Sequence, residues 1–159
     1  MSIERARAHL ARFGAEGRIR EFDQSSATVE LAAAAVGTEP ARIAKTLSFM
    51  VGDTPTLVVL AGDARVNNPA FKATFHCKAK MLSADQAAEL VGHAVGGVCP
   101  FAVNEGVTVY LDESLKRFET VFPACGSSHS AIELTIEEME RYSGYADWVD
   151  VAKGWREGE

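Results

Sequence analysis

One lysine stands where a charged side chain is unexpected. Lys45 lies in IAKTLSFM, at the start of an apolar run whose residues are predicted to be buried in a strand. A buried ammonium group is costly unless it reaches solvent or an anion. Lys45 is therefore either an anion-binding residue or a lysine whose stem packs along the strand while its charge reaches water.

Two adjacent glycines mark a second candidate site, in AVGGVCPF at residues 94–101. Gly96 and Gly97 permit backbone conformations that other residues avoid, and they let a ligand approach main-chain N–H groups closely. Pro100 stiffens the end of this loop. Such a loop can present amides to a carbonyl or phosphate oxygen, as an oxyanion hole does, although a bend at a strand end uses the same residues.

A third candidate is CGSSHS at residues 125–130, between two predicted strands. It offers a glycine, three hydroxyl groups and one imidazole. The segment is either a hairpin loop made of turn residues or a polar rim that orients a substrate.

The three cysteines, Cys77, Cys99 and Cys125, form no CxxC pair. An odd number with wide spacing indicates neither a disulfide framework nor a zinc ribbon, so we expect a reduced, cytoplasmic protein without a metal or cofactor. A cysteine nucleophile with His93 or His129 as its base is an alternative. The apolar neighbours of Cys99 favour a buried thiol instead, and no neighbouring cation is predicted to lower its pKa.

The elements that must position these residues follow from periodicity and turn signals. A hairpin is predicted over residues 45–61, and a helix follows Ser26 as its N-cap. AIELT, residues 131–135, is predicted as one strand, after which Thr135 and Glu138 form a capping box for the last long helix. Hairpins alternate with single-helix crossovers, which favours an α/β fold of the α+β type, with a mixed sheet partly wrapped by helices.

Length and charge restrict the function classes. The 159 residues predict a single domain over 1–159, and no apolar run approaches the roughly 20 residues of a membrane helix. The net charge of −6 disfavours a nucleic-acid partner. However, residues 41–80 carry six basic and two acidic side chains, whereas residues 81–159 carry five basic and fourteen acidic ones. One basic face could therefore meet a phosphate backbone.

Taken together, these motifs resemble those of a known family. A lysine leading an apolar strand, a G-x-x-x-P loop from Gly96 to Pro100 and a glycine loop at Gly126 occur in that order there. KAKMLSADQAAELVGHAVGGVCPF and AIELTIEEMERYSG extend the match. Over roughly residues 20–152 the chain resembles the YbaK-like family, which is related to the editing domain of bacterial prolyl-tRNA synthetases.

The resemblance implies a free-standing trans-editing deacylase. Such a protein hydrolyses the ester of a tRNA mischarged with a small amino acid of the alanine, cysteine, serine or threonine class. The resemblance also implies a mixed, partly barrel-like sheet surrounded by helices. The partners that it implies are mischarged tRNA, contacted at its acceptor end, and a prolyl-tRNA synthetase. The alternative, from another class, is a tRNA- or nucleotide-binding module of the same fold without catalysis.

The resemblance also assigns site residues. Lys45 matches the essential lysine of the family, and the amides of the loop containing Gly96 and Gly97 would stabilise the oxyanion. The residues expected to bind substrate lie in the three motifs: Thr46, Val98, Cys99, Pro100, Gly126, Ser127, Ser128 and His129. In this interpretation the backbone of the loop acts on the substrate, and the thiol of Cys99 only packs.

Overall fold

The computed structural model describes residues 2–94 and 96–156. Its helices are α1 (Ser2–Ala11), α2 (Val29–Val36), α3 (Asn68–Phe75), α4 (Ala84–Gln86) and α5 (Ile136–Ser143). Its strands are β1 (Arg20–Glu21), β2 (Ile43–Val51), β3 (Thr54–Ala61), β4 (Arg65–Val66), β5 (Thr108–Asp112), β6 (Thr120–Pro123), β7 (Ser130–Ala131), β8 (Leu134–Thr135), β9 (Asp147–Val149) and β10 (Ala152–Lys153). A π-helical turn, Ala87–Val91, extends α4.

Six strands form a sheet in the order β8-β6-β2-β3-β5-β9, which curls into a half-barrel. β2 and β3 are antiparallel, whereas β6 runs parallel to β2 and β5 runs parallel to β3. β1 pairs with β7 and β4 pairs with β10 in two separate two-stranded sheets. The predicted α/β fold with a mixed, partly barrel-like sheet is confirmed.

The hairpin of β2 and β3 is the centre of this sheet. Its register places Ala44 opposite Ala61, so the hairpin predicted over residues 45–61 is confirmed. Every residue of β3 from Thr56 to Ala61 is buried, as expected for a run of leucine and valine that is covered on both faces.

Aromatic side chains pack α3 against the sheet. Phe71 lies with its ring centroid 4.8 Å from that of Phe49 in β2 and 4.6 Å from that of Phe75. Phe75 in turn meets Tyr110 of β5 edge-on at 5.0 Å. These contacts hold α3 against β2 and β5.

Helix ends agree with the sequence in one case and correct it in another. Thr135 and Glu138 form the predicted capping box at the start of α5. For α2, however, Thr28 is the N-cap, because its hydroxyl accepts a hydrogen bond from the Leu31 N–H at 3.2 Å. The prediction that Ser26 caps this helix is wrong: its main-chain N–H donates to the Ser128 carbonyl at 2.6 Å.

Residues 131–135 do not form the single strand that the sequence predicts. Ser130 and Ala131 pair with β1, whereas Leu134 and Thr135 pair with β6. The chain changes partner at Ile132, whose N–H donates to the Pro123 carbonyl at 3.1 Å.

Within the described residues, no helix is both long enough and apolar enough to cross a membrane.

Candidate active site

A cavity of about 370 Å³ opens beside the outer edge of β2. Its walls come from the start of α2, from β2, from residues 81–87, from the glycine loop and from β6 and β7. The lining residues are Ser26, Ala27, Thr28, Val29, Ala32, Ile43, Ala44, Lys45, Thr46, Leu47, Ser48, Met81, Leu82, Ala87, Gly96, Val98, Phe122, Ala124, Ser130 and Ala131. Of the residues predicted to form the site, Lys45, Thr46, Gly96 and Val98 lie in this wall.

Among the described residues that line the cavity, only Lys45 carries a cationic side chain. Its Nζ lies 3.5 Å from the Gly62 carbonyl oxygen, the limiting length of a hydrogen bond, so most of its donor capacity is available. Burial lowers the pKa of this half-buried lysine, and the negative charges of Asp63 and Glu30 oppose that effect. The Lys45 side chain therefore lies in a partly desolvated wall, where a positive charge attracts an anion more strongly than at the surface.

The carbonyl that Lys45 reaches is held in place by close packing. A Cβ atom at Gly62 would lie 2.1 Å from the Pro40 carbonyl oxygen and 2.7 Å from Val29 Cγ1. Only glycine permits this approach of the β3 end to the turn before β2.

The two adjacent glycines have different roles. Gly96 has a φ of +90° and lines the cavity, and a Cβ there would lie 3.2 Å from the Cβ atoms of both Ala27 and Ser128. Gly97 is buried, and a Cβ there would lie 2.5 Å from the main-chain nitrogen of Ser127. Gly97 therefore permits contact with the second loop, rather than with a ligand.

The main-chain amides of this loop differ as well. The Gly97 N–H donates to the Ala94 carbonyl at 3.0 Å, so it closes a turn and is not free. The Val98 N–H has no hydrogen-bond partner among residues 2–94 and 96–156. Val98 also lines the cavity, and its amide is therefore the better candidate for contacting a substrate oxygen.

The second loop supports the cavity more than it lines it. Ser127 Oγ and Ser130 Oγ are 2.9 Å apart, and only Ser130 reaches the lining. His129 is exposed, and its Nδ1 lies 2.9 Å from Ser128 Oγ. Gly126 packs under the start of α1, since a Cβ there would lie 2.5 Å from the Ser2 carbonyl oxygen.

Cys99 and Pro100, at the end of the glycine loop, are buried and do not line the cavity. Burial raises the pKa of the Cys99 thiol to about 12, which keeps it protonated. The structure places His93 Nε2 3.6 Å from the sulfur, but that nitrogen lies 2.7 Å from the Phe101 carbonyl oxygen. Because a carbonyl only accepts, Nε2 carries the proton and cannot take one from the thiol.

Among the described residues, neither a metal centre nor a reactive thiol at Cys125 is supported. The described part of the chain contains no group of three or more histidine, cysteine, aspartate or glutamate side chains arranged to hold a metal ion. Cys125 is buried too, and burial raises the pKa of its thiol. The polar groups of the cavity are therefore hydroxyls, main-chain groups and Lys45.

Comparison with known proteins identifies the fold and its chemistry. The family model of the aminoacyl-tRNA editing domain matches residues 23–142, which include every element of the cavity wall. The chain belongs to the aminoacyl-tRNA editing domain family. It is accordingly an aminoacyl-tRNA deacylase, and the YbaK-like resemblance of the motifs is confirmed.

Three similar proteins differ in how much of their own length matches this chain. The chain is 50% identical to the uncharacterized protein YwhH of Bacillus subtilis, over 98% of this chain and 99% of YwhH. It is 27% identical to a proline–tRNA ligase of Streptococcus sanguinis, over 83% of this chain but only 21% of the ligase. A crystal structure of a candidate trans-editing enzyme for prolyl-tRNA synthetase superposes with a TM-score of 0.86 at 27% identity, covering 96% of this chain and 98% of the other.

The sequence does not predict every residue that lines this candidate site. Ser26, Ser48 and Ser130 line the cavity, and their positions depend on contacts between distant segments. Two signals were present: the polar run SSAT before α2 and the last serine of SSHS. The sequence predicts Thr46 as a site residue, but it does not predict that the buried Oγ1 of Thr46 lacks a hydrogen-bond partner in the described structure.

Proposed function

We propose that this protein is a free-standing trans-editing deacylase for tRNA mischarged with a small amino acid of the alanine, cysteine, serine or threonine class. The observation that carries the proposal is the partly buried ammonium of Lys45 in a cavity of about 370 Å³. That volume lies at the low end for small-molecule sites. Ile43, Leu82 and Phe122 limit the space, which supports a small side chain on the substrate.

Hydrolysis needs no protein nucleophile in this proposal. A water molecule, or a hydroxyl or thiol of the substrate itself, attacks the ester carbon. The bond from that carbon to the ribose oxygen then breaks, and the ribose oxygen takes a proton. After attack by water the products are the free amino acid and the ribose hydroxyl, whereas an internal attack first gives an acyl intermediate that water then hydrolyses. The protein contributes position and charge, which together can supply most of the rate enhancement.

Two groups would act on the reacting ester. The Lys45 ammonium holds the terminal phosphate or the ester region by charge. The loop around Gly96 and Gly97 supplies main-chain donors to the developing oxyanion, and among them the Val98 N–H lies at the cavity wall without a partner in the described residues. Gly97 contributes through packing against Ser127, since its own N–H is engaged.

The proposed partners are the acceptor end of mischarged tRNA and a prolyl-tRNA synthetase. Lys78 and Lys80 are exposed and directly precede Met81 at the cavity wall, so they could meet the phosphates of the acceptor end. We expect tRNA binding to weaken with salt, and removal of either charge to make that dependence shallower. Likeness to one segment of a proline–tRNA ligase supports association with a prolyl-tRNA synthetase. The three cysteines are all free, which supports a location in the reducing cytoplasm.

Single-turnover deacylation of a panel of mischarged tRNAs tests the proposal. Lys45→Ala should lower the rate about 100-fold, or about 2.7 kcal/mol of transition-state stabilisation. Lys153→Ala removes an exposed lysine outside the cavity and serves as the matched control. Equal rates for the two folded variants would refute the role of Lys45. Binding of tRNA without release of any amino acid would instead support the non-catalytic alternative.

A further inference from the structure

The outer edge of β2 is covered at both ends and open in the middle. Ile43 and Ala44 pair with β6. Farther along, the Leu82 N–H donates to the Ser48 carbonyl at 3.0 Å, and the Met50 N–H donates to the Lys80 carbonyl at 2.9 Å. Between these two covered stretches lies a gap in the sheet that faces the cavity.

Strand geometry determines which main-chain groups point into this gap. In an antiparallel pair, successive residues alternate between bonding to the partner strand and facing away from it. Met50 lies opposite Pro55, which has no N–H, and Met50 bonds outward to Lys80 instead. Ser48 also bonds outward, so Thr46, two residues earlier, directs its N–H and C=O outward as well.

Nothing in the described structure occupies those two groups. Neither the Thr46 N–H nor its carbonyl has a hydrogen-bond partner among residues 2–94 and 96–156. Thr46 is partly buried and lines the cavity. A donor and an acceptor that the protein leaves unpaired side by side in a cavity wall can both be satisfied by one ligand.

We infer that the aminoacyl group binds in this gap as a one-residue β-strand paired with Thr46. An extended residue presents its own donor and acceptor on one side, and two such residues exchange two N–H···O bonds. An aminoacyl ester has the same arrangement, because its α-ammonium donates and its ester carbonyl accepts. The ammonium donates to the Thr46 carbonyl, and the Thr46 N–H donates to the ester carbonyl. The mode is strand addition reduced to one residue.

The inference rests on the proposed function and names what that site recognises: an acyl group with a free α-amine. The bond from an ammonium is charge-assisted and stronger than a neutral one. The bond to the ester carbonyl strengthens as negative charge develops on that oxygen. Because a carbonyl oxygen has two lone pairs, it can also accept from the Val98 N–H. An acyl group on the amine removes its charge and lengthens the ligand toward the covered ends of the gap.

The test uses two stable adenosines whose 3′ ester is replaced by an amide, one carrying alanine and one carrying propionate. The second lacks only the α-amine. We expect it to bind at least tenfold more weakly. In isotope-labelled protein saturated with the alanyl compound, hydrogen exchange at the Thr46 amide should slow at least tenfold. The amide of Leu47, which bonds to Val58 in the hairpin, should not change and serves as the internal control.

Equal affinities for the two compounds, an unchanged Thr46 amide at saturation, or no binding of the alanyl compound at millimolar concentration would each overturn the inference. These outcomes are separate from failure of the proposed function. A protein that releases amino acid from mischarged tRNA but shows no protection of Thr46 refutes only the pairing. Protection at Thr46 without any release of amino acid refutes only the catalytic proposal.

Discussion

Two glycines with nearly the same φ angle offer a test of the cavity. Gly96 has a φ of +90° and Gly106 a φ of +91°. Gly96 lines the cavity, whereas Gly106 is exposed in a turn, and a Cβ there would meet no atom within 4 Å. Gly96→Ala and Gly106→Ala therefore add the same methyl group at the same dihedral angle, in two different surroundings.

The magnitudes separate backbone strain from catalysis. A positive φ costs an alanine about 1–2 kcal/mol, and this cost applies to both variants. At Gly96 the added methyl also lies 3.2 Å from the Cβ atoms of Ala27 and Ser128, closer than the roughly 3.5–4.0 Å of an optimal carbon contact. The wall must then shift by a few tenths of an ångström. We expect an additional loss of about tenfold in deacylation rate, or about 1.4 kcal/mol.

The measurement pairs urea unfolding with single-turnover deacylation for both variants. Both should lose similar stability, and only Gly96→Ala should lose rate. If Gly96→Ala deacylates as fast as Gly106→Ala at matched folded fractions, the loop is only a bend. If Gly106→Ala loses activity equally, the effect belongs to stability and not to the cavity.

Three further predictions concern single side chains. Cys99→Ala should keep deacylation within a few-fold at a packing cost of about 1 kcal/mol, and an inactive folded variant would restore the nucleophilic thiol. Thr46→Val removes a buried hydroxyl that has no partner in the described residues, so it should raise stability by about 1 kcal/mol in urea unfolding and lower any preference for seryl over alanyl esters. A loss of stability would contradict this. Hydrogen bonding from Arg18 lowers the pKa of Glu138 from 4.5 to about 2. This stabilisation is present above pH 4.5 and lost as the pH falls toward 2; because the Arg18 side chain is 45% exposed, we expect about 1 kcal/mol. Glu138→Gln should lack that component in acid titrations of stability, and an unchanged acid profile would refute it.

The sequence predicts features that depend on neighbouring residues. The hairpin containing Lys45 and the capping box of Thr135 and Glu138 follow from local pattern and turn chemistry, and both are confirmed. The long strand proposed at residues 131–135 fails because its two halves pair with different strands. Such a change of partner depends on the whole sheet, so it cannot be predicted from the five residues 131–135 alone.

The candidate site divides in the same way. The glycine loop was visible, but not that Gly96 faces the cavity while Gly97 faces Ser127. The sequence suggests His93 and Cys99 only as a possible catalytic pair, whereas the contact that decides their role is with the main-chain carbonyl of Phe101. Main-chain partners of side chains cannot be predicted from residue types, because every residue carries the same carbonyl.

The open edge of β2 also bears on how the molecule avoids self-association. Exposed strand edges act as templates for strands of other chains, and stable intermolecular pairing uses segments of about six residues. Here the exposed edge is limited to Thr46, because β6 covers one side and the bonds from Leu82 to Ser48 and from Met50 to Lys80 cover the other. Those two hydrogen bonds therefore keep the unpaired edge of β2 too short to nucleate an aggregate. The same edge stays accessible to a ligand the size of one amino acid.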